Sequence, residues 1–137
     1  MIKKTDPIER HVVAVLVDNE AGVLARVAGL FSGRGYNIDS LTVSEVTENH
    51  DVSRVTIVTS GTPMVIEQIK AQLERLVPVR KVMDLTVEGP HVEREMALVK
   101  VNGEGEKRVE ALRLADAFRA RIVDTTNASF VLSLIHI

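Results

Sequence analysis

Two short stretches carry polar residues at spacings suited to recognising a small charged molecule. They are Asp18-Asn19-Glu20-Ala21-Gly22-Val23-Leu24 and Gly35-Tyr36-Asn37-Ile38-Asp39-Ser40. The first leads into an apolar helical period, so it falls at a helix start, where backbone N–H groups lack intrahelical partners. Those groups carry the positive end of the helix dipole and suit a carboxylate. Gly22 lets a ligand approach the backbone closely. Asn19 and Asn37 can each donate and accept, which fits the paired ammonium and carboxylate of an amino acid. Val23, Leu24 and Ile38 could line a small apolar recess, with Glu20 and Ala21 completing the loop. The two stretches are expected to lie near one another in the fold read below. Spacing alone favours a plainer reading, in which Asn19 caps the helix, Gly22 eases a turn and Asn37 begins a strand.

Groups that make or break bonds are harder to find. His11, His50, His91 and His136 are scattered, without the spacing of a metal site, and each reads as a surface or strand-end residue. There is no cysteine, hence no disulfide framework, thiolate ligand or Cys nucleophile. No serine sits in Gly-x-Ser-x-Gly. Gly29, Gly33 and Gly35 lie at the end of a helix rather than between a strand and a helix start, and no P-loop lysine follows. They read as a helix stop and a tight turn. No acid–base pair stands out, so the chain is expected to be non-catalytic, with no metal and no cofactor of its own.

The 137 residues are 45% hydrophobic and 26% charged, with a formal net charge of −2. A nucleic-acid binder normally shows a basic face, and this balance argues against one. An RNA-binding sheet would present aromatics for stacking, but Tyr36 is the one aromatic in the strands of the first half. The apolar run Val12–Val17 is far short of the about 20 residues that cross a membrane. Lys3 and Lys4 are not followed by the apolar segment of a signal peptide. A soluble, cytoplasmic protein is expected.

The elements that position the two stretches follow from periodicity. Residues 11–17 are a β-branched run that reads as a strand buried on both faces. Val23, Leu24, Val27, Leu30 and Phe31 mark one face of a helix, stopped by Gly33 and Gly35. Residues 36–46 are extended, and Thr47–Asp51 is a polar turn. Residues 52–59 alternate Val55 and Ile57 against Arg54 and Thr56, as the second arm of a hairpin. Pro63 opens a helix with Ile66, Ile69, Leu73 and Leu76 on one face. Val77–Val87 reads as a closing strand, with Pro78 near its start as on a sheet edge. The order β-α-β-β-α-β over residues 10–88 is the ferredoxin-like, split βαβ arrangement. After Gly89-Pro90 a strand (95–101), a helix (106–120, with Val109, Leu112, Ala115 and Phe118 inward) and a hairpin (121–134) repeat the first four elements. The reading is an α+β chain: an N-terminal extension (1–9), a βαββαβ domain (10–88) and a partial βαββ domain (89–137). The last lacks the helix and strand its own pattern calls for, so either the chain is a fragment or a partner covers what is exposed.

The stretch Val15–Val43 resembles the first half of the regulatory small subunit of acetolactate synthase (acetohydroxyacid synthase), an ACT-domain family. The generic ACT pattern is strand, acidic or Asn residue, Gly-Val-Leu and helix. Phe31-Ser32-Gly33-Arg34-Gly35-Tyr36-Asn37-Ile38-Asp39-Ser40-Leu41 is far more specific. Gly89-Pro90-His91-Val92-Glu93-Arg94-Glu95, followed by Ala97–Val101, is similar to the family's interdomain segment, so the likeness spans about residues 10–134. The resemblance implies a homodimer through side-by-side ACT domains in one continuous sheet, with valine, or leucine or isoleucine, bound at the interface for feedback inhibition. Asn19, Gly22 and the helix start match the effector loop. Asn37 and Ile38 match the segment supplied across the interface. It implies a large catalytic subunit as partner, which would carry thiamine diphosphate, flavin (FAD) and magnesium. Two features depart from the family: Met1–Glu9 is longer than its shortest members show, and Ile135-His136-Ile137 stands where they continue with a helix and strand. The alternative is a free-standing ACT-type amino-acid sensor that regulates a different enzyme.

Overall fold

A computed structural model describes residues 6–136. Residues 1–5 of the expected N-terminal extension, and Ile137, lie outside the described residues. The chain forms two compact units, one ending at His91 and one starting at Val92.

The first unit runs β1 (Glu9–Asp18), α1 (Val23–Gly33), β2 (Ser40–Glu45), β3 (Val52–Gly61), α2 (Pro63–Glu74) and β4 (Val79–Asp84), then a single helical turn, α3 (Leu85–Glu88). Its strands make one antiparallel sheet in the order β2-β3-β1-β4. This is the expected ferredoxin-like βαββαβ fold. β1 lies inside the sheet between β3 and β4, with Val13, Ala14 and Val15 fully buried.

Both helices close over one face of this sheet. On α1 the buried side chains are Val23, Val27 and Phe31, and on α2 they are Ile66, Ile69 and Leu73. These six pack with Val13, Val15, Val17, Val55 and Ile57 in one core. Each side chain so buried contributes roughly 1.5–3 kcal/mol. The phenol ring of Tyr36 meets Phe31 edge-on at 6.1 Å between ring centres.

The ends of the helices are set locally. Gly35 sits at φ +68°. Its N–H donates to the Ser32 carbonyl and that of Tyr36 to Phe31, the paired bonds of a glycine helix stop. Thr62 caps α2, its Oγ1 accepting from the Val65 N–H, and Pro63 occupies the first turn, where no N–H is missed.

Two expectations change here. The closing strand does not run from Val77 to Val87. It ends at Asp84, whose carboxylate accepts from the Thr86 N–H and starts α3 instead. Of the two readings of His11, surface or strand-end, the first fails: it sits near the start of β1 and is buried.

The second unit runs β5 (Glu95–Asn102), α4 (Gly105–Ala117), β6 (Arg121–Thr125) and β7 (Ser129–His136), a βαββ unit with sheet order β5-β7-β6. Phe130, Leu132 and Ala115 form its core, with Val101, Ala111, Leu112 and Ala120 against them. The Arg108 guanidinium lies 5.3 Å from the centre of the Phe130 ring. Val109 and Phe118, expected inward on α4, are exposed. The helix covers a sheet of three strands and needs only a narrow stripe, which Ala111, Leu112 and Ala115 fill. Among the described residues no helix is long and apolar enough to cross a membrane.

Candidate functional site

At one end of the first unit the β1–α1 loop meets the β2–β3 hairpin. Backbone bonds pin the loop: Asp18 N–H donates to the Pro78 carbonyl (2.8 Å), Asn19 N–H to Asp51 (2.9 Å) and Glu20 N–H to Asp18 (2.8 Å). Arg80 holds the Asp18 carboxylate. Gly22 then adopts φ +81°, ψ +1° and opens α1. A left-handed residue turns the chain sharply into the helix, and only glycine does so without strain. The helix cap is therefore Gly22 and not Asn19. No side chain caps α1, and no acidic residue lies in its first turn. Its leading N–H groups have the dipole's positive field and no built-in anion.

Beside this helix start lies a recess of about 140 Å³ lined by Val17, Asp18, Asn19, Glu20, Gly22, Val23, Leu24, Val43, Ser53 and Val55. Of the residues expected to bind an effector, Asn19, Glu20, Gly22, Val23 and Leu24 line it. Ala21 is in the same loop but does not. Val43 and Val55 were not anticipated as site residues. They face each other in register across β2 and β3, and the alternation that points Val55 inward could have pointed to Val43 as well. Leu24 and Val43 are each 45% exposed, an apolar rim left open at the β2 edge.

Asn37 and Ile38 are not part of this recess. Within one chain they lie at the far end of β2. The Asn37 carbonyl accepts from Thr59 Oγ1 at 2.6 Å, and Asp39 N–H donates to Val58. Asp18, at the other end, pairs with Val52. Six residues of strand separate the two levels, about 20 Å. The expected closeness of Asn19 and Asn37 fails because α1 carries the chain along the length of the sheet before β2 begins. Asn37 is exposed and donates to the Asp39 carboxylate, while Ile38 packs against the core.

The two edges of the sheet differ. β4 carries outward Arg80 and Lys81, follows Pro78, and shifts register against β1 at Leu16/Val17. Charges, proline and bulges of this kind discourage further pairing. β2 is regular along Ser40–Glu45, has no lysine or proline, and leaves Val43 bare. The recess opens beside this edge.

A larger hollow of about 350 Å³ lies between α2 and β4, bordered by Glu67, Glu74, Asp84 and Glu88 with one cation, Lys70. The Lys70 ammonium is already held by Glu67 (2.7 Å) and Asp84 (3.2 Å). With four carboxylates and a committed lysine it is ill-suited to an amino acid's carboxylate. Its Asp84 also takes Nδ1 of His11 at 2.8 Å, and Glu9 takes Nε2 at 2.9 Å. Burial alone would lower the His11 pKa, but these two hydrogen bonds outweigh it and raise the value above 6.5. Burial likewise pushes Asp84 up, and His11 and Lys70 together pull it below 3.8. No group of three or more His, Cys, Asp or Glu among the described residues is placed to hold a metal ion.

Comparison with known proteins accounts for both units. A model of the AHAS small subunit-like ACT domain matches residues 13–81, and a model of the small subunit of acetolactate synthase matches residues 94–136. The chain belongs to the acetolactate synthase small subunit family. It is 50% identical over 125 residues to the probable acetolactate synthase small subunit of Archaeoglobus fulgidus, covering 91% of this chain and 77% of that protein. It is 47% identical to the acetolactate synthase isozyme 3 small subunit of Escherichia coli, covering 91% and 76%. The crystal structure of the acetolactate synthase small subunit from Thermotoga maritima superposes with a TM-score of 0.80 at 40% identity, over 93% of this chain and 78% of that one. In this small-subunit chain the ACT unit holds the recess, and residues 31–41 supply the stop of α1 and lead into β2, the bare edge.

Proposed function

We propose that the chain is a non-catalytic regulatory subunit of acetolactate synthase that binds valine between two ACT units and passes the signal to a large catalytic subunit. The observation that carries this reading is the recess beside α1, open at the bare β2 edge. A two-fold pairing of β2 with β2 of a second copy is necessarily antiparallel. It sets the start of one β2 against the end of the other, so Asn37 and Ile38 of one copy approach Asn19 and Gly22 of its partner. That pairing closes the recess, covers Leu24 and Val43, and joins two four-stranded sheets into one. The effector carboxylate then lies at the start of α1, and its branched side chain among Val23, Leu24, Val43 and Val55.

Thiamine diphosphate, FAD and magnesium belong to the catalytic partner in this reading, and the chain acts in the cytoplasm with no nucleic-acid or membrane partner. Feedback inhibition follows if valine favours one arrangement of the paired units, a coupling typically worth about 1–3 kcal/mol. The coupling also gives the test. Calorimetric titration of the purified chain with valine, leucine and isoleucine should give saturable binding of at least one, with two sites per dimer. No heat with any of them at millimolar concentration contradicts the effector assignment. A monomer by sedimentation that binds valine contradicts the interface.

A further inference from the structure

We propose that Glu45 is a positioning residue for the effector site. It fixes the Asn19 amide so that Asn19 offers the effector an acceptor, and thereby selects molecules with an ammonium group. This rests on the reading of the recess as an amino-acid site.

Asn19 alone could serve either end of an amino acid, since its amide has two donor hydrogens and an acceptor oxygen. Its surroundings remove the choice. Asn19 Nδ2 donates to the His50 carbonyl at 2.8 Å and to Glu45 Oε1 at 3.3 Å. Both partners are acceptors only, so the NH₂ group must face them. Oδ1 is left as the amide's hydrogen-bonding atom toward the recess that Asn19 lines. An acceptor there takes a donor, and in an amino acid the donor is the ammonium. The carboxylate is left to the N–H groups of α1, which lack an anion of their own.

The support behind Asn19 is built rather than incidental. Glu45 ends β2 and pairs with Ser53, which pairs with Val17 of β1. This row delivers the Glu45 carboxylate to the loop that begins at Asp18. Its second oxygen, Oε2, engages Nδ1 of His50. His50 is one of the two described non-glycine residues with positive φ, at +58°, a conformation that surrounding bonds must hold. They do so through Thr47. Its Oγ1 donates to Asp51 Oδ1 (2.7 Å) and accepts from the N–H groups of Asp51 and Val52 (3.2 Å each), while its carbonyl accepts from His50 N–H at 3.1 Å. The hairpin thus presents the His50 carbonyl, and Glu45 ties that hairpin to Asn19. A carboxylate on the NH₂ side also polarises the amide and strengthens Oδ1 as an acceptor.

The test uses the full chain and two ligands, valine and 3-methylbutanoate, which keeps the branched side chain and carboxylate but has no ammonium. Wild type should bind valine at least about tenfold more tightly than the acid, the scale of one well-formed charged hydrogen bond. Glu45→Ala should lose about tenfold in valine affinity with little change for the acid, erasing the preference. Glu45→Gln should stay within about threefold of wild type, because its Oε1 still accepts from Asn19. Melting temperature and sedimentation of each variant establish that it is folded and paired. Glu45→Ala that binds valine as wild type does, or that weakens both ligands equally, overturns the positioning role while the amino-acid site stands. Wild type that binds neither ligand overturns the site itself, and this role with it.

Discussion

Replacing Gly22 with aspartate is expected to leave the ACT unit folded and to lower valine affinity by at least about a hundredfold. The position tolerates the side chain sterically, since a Cβ at Gly22 meets nothing within 4 Å. The backbone is the obstacle. At φ +81° an L-residue is strained, by about 1 kcal/mol or somewhat more, though aspartate visits this region more readily than most. Part of that cost is offset, because an aspartate at the helix cap suits the dipole and the leading N–H groups of α1. Those are the groups the effector carboxylate needs. Two unit charges about 4 Å apart repel by roughly 4 kcal/mol at the effective dielectric of a protein surface, enough for a loss of two or three orders of magnitude. Gly22→Ala separates charge from strain: it carries the backbone penalty without the anion, and should bind measurably. The comparison is made by calorimetry, with thermal melts alongside. Near-normal binding by Gly22→Asp moves the effector away from the start of α1.

The second large effect concerns stability. Asp84→Ala is expected to cost about 3 kcal/mol, because it leaves the buried His11 and the Lys70 ammonium without their shared carboxylate. It also removes the cap of α3. The same cluster makes stability depend on pH, with signs that follow from the two shifts. The His11 pKa is raised on folding, so its contribution is full below 6.5 and is lost as pH rises through the folded value. That of Asp84 is lowered, so its contribution is full above 3.8 and is lost as pH falls through the folded value. Both are present together between those limits. Melting temperature measured across pH 4–9 should therefore fall on the alkaline side of His11 titration, and His11→Gln should flatten that limb. A His11→Gln profile parallel to wild type would rule out His11 as the source.

The first unit was largely readable from residue order. The apolar run Val12–Val17 marks β1, an inner strand of the sheet, and Ile66, Ile69 and Leu73 mark the face of α2 that packs on the core. Breaks at Gly22, Gly35 and Thr62-Pro63 carry their conformations in their own side chains, or in lacking one. What escaped reading depends on partners distant in the chain. His11 looks like any strand-end histidine until Asp84, 73 residues on, is brought beside it. The end of β4 is decided by the Asp84 carboxylate turning back on Thr86, where the apolar pattern of Val82, Met83, Leu85 and Val87 runs straight on. Loop chemistry singles out Asn19 and Gly22, and both line the recess. It could not show that α1, about 16 Å long, would carry Asn37 to the opposite end of β2. Glu45 was hidden for a related reason, since its contact with Asn19 spans the β1–β3–β2 register rather than the local sequence.

That separation makes the central claim directly testable. If each effector site takes Gly22 from one copy and Asn37 from the other, Gly22→Asp and Asn37→Ala chains should each fail to bind valine as homodimers. Mixed dimers formed by joint refolding hold one site with both substitutions and one with neither. Random pairing of the two chains then restores roughly one site in four of the wild-type total. Calorimetric titration of the refolded mixture should show that fraction binding with wild-type affinity. A mixture of folded, paired chains that stays silent contradicts a site shared between two copies, as does an Asn37→Ala homodimer that binds valine normally.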